Sequence, residues 1–368
     1  FRGANIYNIL NFENVFTGAK VIKLEQNYRS TQTILNAANA VISNNIGRKS
    51  KSLWTDNGEG EKVNYTLYEN GYDEAEGVAS GIAEYVRDGW NYNDVAILYR
   101  TNAQSRALEE KLMIHNIPYK IYGGQNFYQR KEIKDILAYL KTIDNGLDGQ
   151  AVKRIINVPK RGIGNTTIDR LQEYADFNDI TFWEALVNAK DIDTIKNAAL
   201  SKLEPFVDLI GRLRAKEEFM SLKELAEAVI EDTGYIESLS QNETVEEVEA
   251  RRENLDEFIN KVVSYEEGCK EAGEEPTLSG LLEEVALIAD IDNLDESEPH
   301  VMLMTLHSAK GLEFPIVYMT GMEDGLFPSY MTIVSDDSTE IEEERRLCYV
   351  GITRACLLYT SDAADDRI

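Results

Sequence analysis

Short apolar runs of strand length punctuate the chain: KVIKL (20–24), VNYTLY (63–68), VAILYR (95–100), VMLMTL (301–306) and IVYMTG (316–321). Each is bounded by polar or turn-forming residues and reads as a strand. Residues 357–360 read as the end of a further strand. Between several runs lie stretches of helical period, such as 31–42 and 73–87. Strands that alternate with helices predict a parallel α/β sheet. From about residue 126 to 297 the pattern changes to long amphipathic helices with few strand signals. In 251–268, for example, Leu255, Phe258, Ile259, Val262 and Tyr265 fall on one helical face, a stripe expected to form core. The pattern therefore divides the chain into an α/β domain over 1–125, a helical insertion over 126–297, and a return to the α/β domain over 298–360.

Composition supports ordinary cores, with 43% apolar residues in 368, enough for two domains. No apolar run approaches the roughly 20 residues that span a bilayer. Cys269, Cys348 and Cys356 show no C-x-x-C or metal-ligand spacing, so a reduced, cytoplasmic chain is expected, with Cys348 packing as a small hydrophobe. The formal net charge of −27 stands against the basic patch expected of a nucleic-acid binder. Its location changes that picture: residues 242–298 hold 19 acidic against 4 basic residues, 15 of the 27 excess negative charges. The rest is closer to balanced, and a cleft of stacked rings with a few arginines can grip a nucleic acid despite global charge. The acidity argues against a membrane-surface role.

The candidate chemistry lies beside the strand runs. Arg29 in LEQNYRST (24–31) and Arg354 in EEERRLCYVGITRA (342–355) each adjoin an apolar run and are expected to converge on one sheet edge. A guanidinium there, always charged and forked, suits phosphate oxygens as charge develops in phosphoryl transfer. Tyr28 offers a ring on which adenine can stack, and Glu313 in TLHSAKGLEFP (305–315) a carboxylate for ribose hydroxyls. Taken singly, each has a plainer reading: a surface ion pair for the arginines, packing for Tyr28, a solvated face for Glu313, a satisfied core position for His307. Within the insertion, NVPKRGIGNTTIDRL (157–171) sets Gly162 and Gly164 about Ile163 in a tight turn, after Lys160 and Arg161. Thr166 or Thr167 can cap the following helix, leaving backbone N–H groups for a phosphate. The plainer reading is an ordinary helix–helix turn.

The three long patterns, in this order, resemble motifs IV, V and VI of the superfamily 1A DNA helicases of the UvrD/PcrA/Rep type. FRGANI (1–6) resembles the end of motif III, while YRTNAQSR (99–106) and GGQNFYQRKEIKD (123–135) resemble further blocks, so the likeness runs from Phe1 to about Ala355. It implies a RecA-like parallel-sheet domain, 2A, split by an all-α 2B domain. It implies an ATP-dependent 3′–5′ DNA helicase that translocates on single-stranded DNA and unwinds duplex in repair or replication. Tyr28 would stack on adenine, Arg29 and Arg354 would touch the γ-phosphate, Gly311 would line the ATP site, and Glu313 would meet the ribose. Phe1, Arg2, Arg100, Asn102 and His307 would hold single-stranded DNA. The turn with Lys160, Arg161, Gly162, Gly164 and Thr166 would touch duplex at the fork.

The departures matter as much. No G-x-x-x-x-G-K-[ST] phosphate loop occurs in the 368 residues. The chain is therefore expected to be the C-terminal portion of a helicase, inactive alone. An N-terminal RecA-like domain would be its partner in ATP binding and would hold Mg2+. Residues 361–368 match no pattern of the family and are expected to be a non-native tail. Repair or replication accessory proteins are further expected partners. Two alternatives stay open: the helicase subunit of a recombinational helicase–nuclease, and a non-enzymatic module that binds DNA or a partner. A glycine pair at Gly123 and Gly124 is expected to act as a hinge to the insertion.

Overall fold

The computed structural model describes residues 12–48, 51–241, 243–291 and 299–364. It divides into two units, one formed by 1–124 with 294–368 and one by 125–293. The first unit opens with helices α1 (Phe12–Val15) and α2 (Gln32–Ser43), then strand β1 (Asn64–Tyr68), α3 (Gly71–Arg87), β2 (Val95–Tyr99), α4 (Ser105–Ile114) and β3 (Tyr119–Ile121). The second unit holds α5 (Lys131–Asp144), α6 (Gly149–Ile155), α7 (Asn165–Asn178), α8 (Phe182–Val187), α9 (Asn197–Glu217), α10 (Leu222–Thr233), α11 (Tyr235–Leu239), α12 (Val245–Ala272) and α13 (Leu278–Ile291). The chain then returns to the first unit with β4 (Val301–Thr305), β5 (Phe314–Met319), α14 (Tyr330–Val334), α15 (Ser338–Ile352) and β6 (Ala355–Ala364).

The six strands form one sheet in the order β1-β6-β5-β2-β4-β3, and every pair is parallel. A parallel sheet buried on both faces needs apolar residues at every position of its central strands, and β2 is buried throughout. Its alternation still sorts the two layers. Ala96 and Leu98 face the cluster built with Ile34 and Ala38 of α2 and Leu347, Cys348 and Ile352 of α15. Val95, Ile97 and Tyr99 face Ala75, Val78 and Ile82 of α3 and Leu108 and Leu112 of α4. Gly351 lets α15 lie close on the sheet: a Cβ there would stand 2.5 Å from Leu306 Cδ2 and 2.8 Å from Met319 Sδ.

The second unit is helical in every described element and surrounds one core. The predicted stripe on α12 is part of it, with Leu255, Phe258, Ile259 and Val262 buried and Tyr265 packed at its margin. Thr181, Ser221 and Thr244 start α8, α10 and α12 with reciprocal capping boxes. Gly234 and Gly273 end α10 and α12 in the left-handed conformation. The expected α/β sheet split by an all-α insertion is thus the observed architecture.

Two local expectations are corrected, and one strand was not expected. Residues 20–24 form no strand; the segment runs to an isolated bridge between Gln26 and Trp54, with Val21, Ile22 and Leu24 exposed. An apolar run predicts a strand only where a sheet edge is there to pair with it. β3 escaped the sequence reading because it is three residues long with the exposed Lys120 at its centre. The last strand does not stop at 360, since β6 continues to Ala364, with Thr360–Ala364 in register along β1. Part of the segment expected to be a tail therefore takes backbone hydrogen bonds in the sheet.

Candidate functional site

The sequence places the segment before α2 against the beginning of β6. Ser30 Oγ donates to Ala355 O at 2.7 Å, and Thr31 N–H donates to Cys356 O at 3.1 Å. Asn27 Oδ1 accepts from both Arg29 N–H and Ser30 N–H at 2.8 Å, an Asx turn that aims the Arg29 side chain back toward the sheet. β5 and β6 start side by side, with Phe314 N–H donating to Arg354 O at 3.0 Å. Arg29, Glu313 and Arg354 therefore meet at the amino ends of β5 and β6.

The contacts are specific. Arg29 Nε donates to Glu313 Oε2 at 2.5 Å, and its Nη1 to the Thr353 carbonyl at 3.3 Å. Arg354 donates from Nε to Val350 O at 3.1 Å, from Nη1 to Leu312 O at 3.0 Å and from Nη2 to Thr353 Oγ1 at 3.2 Å. Thr353, buried, thus receives one guanidinium on its carbonyl and the other on its hydroxyl. Burial, and after it the nearby charge of Arg29, pushes the Arg354 guanidinium below the ordinary arginine range. Two cations held together in this way favour an oxyanion between them.

Beside this pair, the Tyr28 ring is 80% exposed, its hydroxyl donating to Gln26 Oε1 at 2.9 Å, which leaves its face open to a flat ligand. Gly311 lies in the turn before Glu313 with φ +95°, a conformation that a side chain would strain. Glu313 sits on Arg29 rather than standing apart, a placement that its spacing in sequence does not reveal. Thr353 and Asn27 were missed by the sequence reading. Asn27 carried a readable signal, a turn-forming Asn two residues before Arg29; Thr353 carried none, because its partners lie far away in the chain.

Arg100, Asn102 and His307 occupy the opposite edge, at the carboxyl ends of β2 and β4, about 17 Å along the strands. Leu306 N–H donates to Tyr99 O at 2.8 Å and ties the two loops together. Asn102 and His307 are exposed. Arg100 lies against Glu344 of α15, with its Nε at 3.1 Å and 3.2 Å from the two carboxylate oxygens and Nη2 at 2.9 Å from Oε1. Its charge is therefore already partly met inside the molecule. Phe1 and Arg2 lie outside the described residues.

In the helical unit, Lys160, Gly162, Gly164 and Thr166 are exposed around the turn that leads into α7. Gly162 has φ +72°, and its carbonyl accepts from Lys202 Nζ at 2.8 Å. The expected threonine cap is corrected: the N-cap is Gly164, extended and with no side-chain acceptor, and Thr166 lies within the helix. The first-turn amides are consequently left without a capping side chain. The Arg161 side chain points inward. Nη1 donates to Ile155 O at 2.9 Å, Nη2 to the Tyr139 hydroxyl at 2.7 Å, and the guanidinium stacks 4.9 Å from the centre of the Phe206 ring. It satisfies carbonyls at the end of α6.

Among the described residues, no helix is long and apolar enough to cross a membrane. Nor, among them, do three or more His, Cys, Asp or Glu side chains gather where they could hold a metal ion.

Comparison with known proteins matches residues 22–361 to the UvrD-like helicase C-terminal domain. The chain is 50% identical over 355 residues to the ATP-dependent DNA helicase PcrA of Staphylococcus aureus strain Mu50, covering 96% of the chain and 48% of that protein. It is 48% identical over 364 residues to the ATP-dependent DNA helicase PcrA of Staphylococcus epidermidis strain RP62A, covering 99% and 49%. The chain spans about half the length of the curated relatives it matches. With a parallel sheet, a helical insertion and a match across nearly all its residues, the chain belongs to the family of UvrD-like helicase C-terminal domains.

Proposed function

We propose that this chain is the C-terminal, 2A–2B portion of an ATP-dependent 3′–5′ DNA helicase. The observation that carries the reading is the pair Arg29 and Arg354, joined through Thr353 at the amino ends of β5 and β6. They fit the terminal phosphate of ATP, which presents several anionic oxygens to forked donors. Tyr28 takes the adenine face. In this reading the phosphate loop and the ligands of Mg2+ come from an N-terminal RecA-like domain that pairs with this one. At the other edge of the sheet, Asn102, His307 and Arg100 face single-stranded DNA. Arg100 exchanges Glu344 for phosphate, and the open amides of α7 with Lys160 take the phosphates of duplex at a fork. Polarity, cytoplasmic location and a place in repair or replication follow from kinship with the helicases.

The test is single-strand-stimulated ATP hydrolysis by the full-length protein. Arg29→Ala or Arg354→Ala should lower turnover by about 10³ or more, the scale of losing an arginine that stabilises phosphoryl transfer. The melting temperature should stay nearly unchanged in Arg29→Ala and fall in Arg354→Ala, because the Arg354 guanidinium also satisfies two backbone carbonyls. Near-normal turnover in both variants would sink the assignment. The 368-residue chain alone should show no stimulated hydrolysis.

A further inference from the structure

The contacts of Arg29 and Arg354 are unequal. Among the described contacts, Arg354 donates only to neutral oxygens: two backbone carbonyls and a hydroxyl. Arg29 carries the one carboxylate at the site, Glu313, at 2.5 Å from Nε. Two guanidinium charges thus face one carboxylate, which leaves the group net positive. The Glu313 side chain is 61% exposed, whereas that of Arg29 is 28% exposed. The carboxylate therefore reaches Arg29 from the solvent side, the side from which a ligand must come. A carboxylate and a phosphate oxygen make the same charge-assisted hydrogen bond to a guanidinium, so they compete for it.

We propose that Glu313 is an intramolecular anion that occupies Arg29 until a phosphate group displaces it. The inference rests on reading the arginine pair as a phosphate site. It gives Glu313 a task separate from any ribose contact: it neutralises Arg29 next to Arg354 when no nucleotide is bound, and it sets a threshold that an anion must exceed. The exchange breaks no covalent bond; one oxyanion replaces another on Nε, and the released carboxylate turns to solvent. Thr353 holds both guanidiniums throughout, so the arginines need not move for the exchange to occur.

The experiment is isothermal titration of the 368-residue chain with inorganic tripolyphosphate, which has phosphate oxygens but no ribose. Glu313→Gln should bind tripolyphosphate about threefold to fivefold more tightly than the unaltered chain, the scale of one partly exposed ion pair. In the Arg29→Ala background the same change should give less than half of that gain. Unchanged or weaker binding by Glu313→Gln, with weaker ATP binding alone, would overturn the proposal in favour of a ribose contact. An equal gain without Arg29 would overturn it in favour of general charge repulsion. Failure of the underlying reading looks different: Arg29→Ala and Arg354→Ala would each leave tripolyphosphate binding as it was.

Discussion

At the scale of single residues, the same side chain serves either a ligand or the fold, and the partners decide which. Thr353 binds two arginines at once, Arg29 on its carbonyl and Arg354 on its hydroxyl. Thr353→Val keeps the shape and the carbonyl but removes the hydroxyl's hydrogen bonds with Arg354 and Val350 O. In the full-length protein it should lower ATP turnover roughly tenfold, with less effect on KM than on kcat, as steady-state kinetics will report. Arg161 is the opposite case. Four backbone carbonyls, a tyrosine hydroxyl and an aromatic face surround its guanidinium. Arg161→Ala should destabilise the helical unit by about 2–3 kcal/mol, and Arg161→Lys should recover little of it, because an ammonium cannot reproduce the planar fork. Denaturant unfolding followed by circular dichroism measures both. Cys348 is settled by burial, which with the charge of Glu344 pushes its thiol up to about 12. Its folded value lies above the unfolded one, so the stability it contributes is full below about pH 8.5 and is lost as pH rises toward 12. Cys348→Ala should flatten that alkaline loss in melts taken between pH 8 and 11.

At the scale of elements, the ends of strands and helices carry the candidate site residues, and their interiors carry the core. β5 and β6 gather Glu313 and Arg354 because they pair in register from Phe314 and Ala355. β2 and β4 gather Arg100 and His307 for the same reason at their other ends. Helix α7 starts at an extended glycine whose added Cβ would meet no atom within 4 Å, so the position accepts a side chain without a clash. Gly164→Asp should therefore cap the helix and raise stability by a few tenths of a kcal/mol. The new carboxylate would also occupy the amides assigned to duplex phosphate. Affinity for a forked duplex should fall several-fold while affinity for single-stranded DNA stays the same, which fluorescence anisotropy with the two substrates distinguishes. Unchanged fork affinity would remove this turn from the DNA interface.

At the scale of the whole molecule, the net charge of −27 repels a polyanion at long range while a few cations act at short range. DNA binding by this chain should then be weak. For single strands, the slope of log affinity against log salt should lie between about −1 and −3, corresponding to a few phosphates neutralised. A slope near −6 would mean a broad basic track, which the charge distribution of this sequence contradicts. Anisotropy titrations of oligothymidine at several salt concentrations give the slope directly.

The division into an α/β sheet and a helical insertion was legible in the sequence because burial imposes a period on the residues that face the core. The period is local: alternate layers at Val95–Tyr99 and the stripe on α12 can be read without knowing any partner. Arginines beside strand runs were legible too, since their chemistry belongs to the residue type. What the tertiary structure alone decided was pairing. Residues 20–24 have strand composition but no partner edge, and β6 runs past residue 360 because β1 lies beside it. Glu313 meets Arg29 across 284 positions, and Glu344 meets Arg100 across 244. Arg161 turns inward because the carbonyls that end α6 need a donor. Propensity and periodicity act over a few residues, whereas hydrogen bonds and ion pairs depend on which distant segments the topology brings within 3 Å.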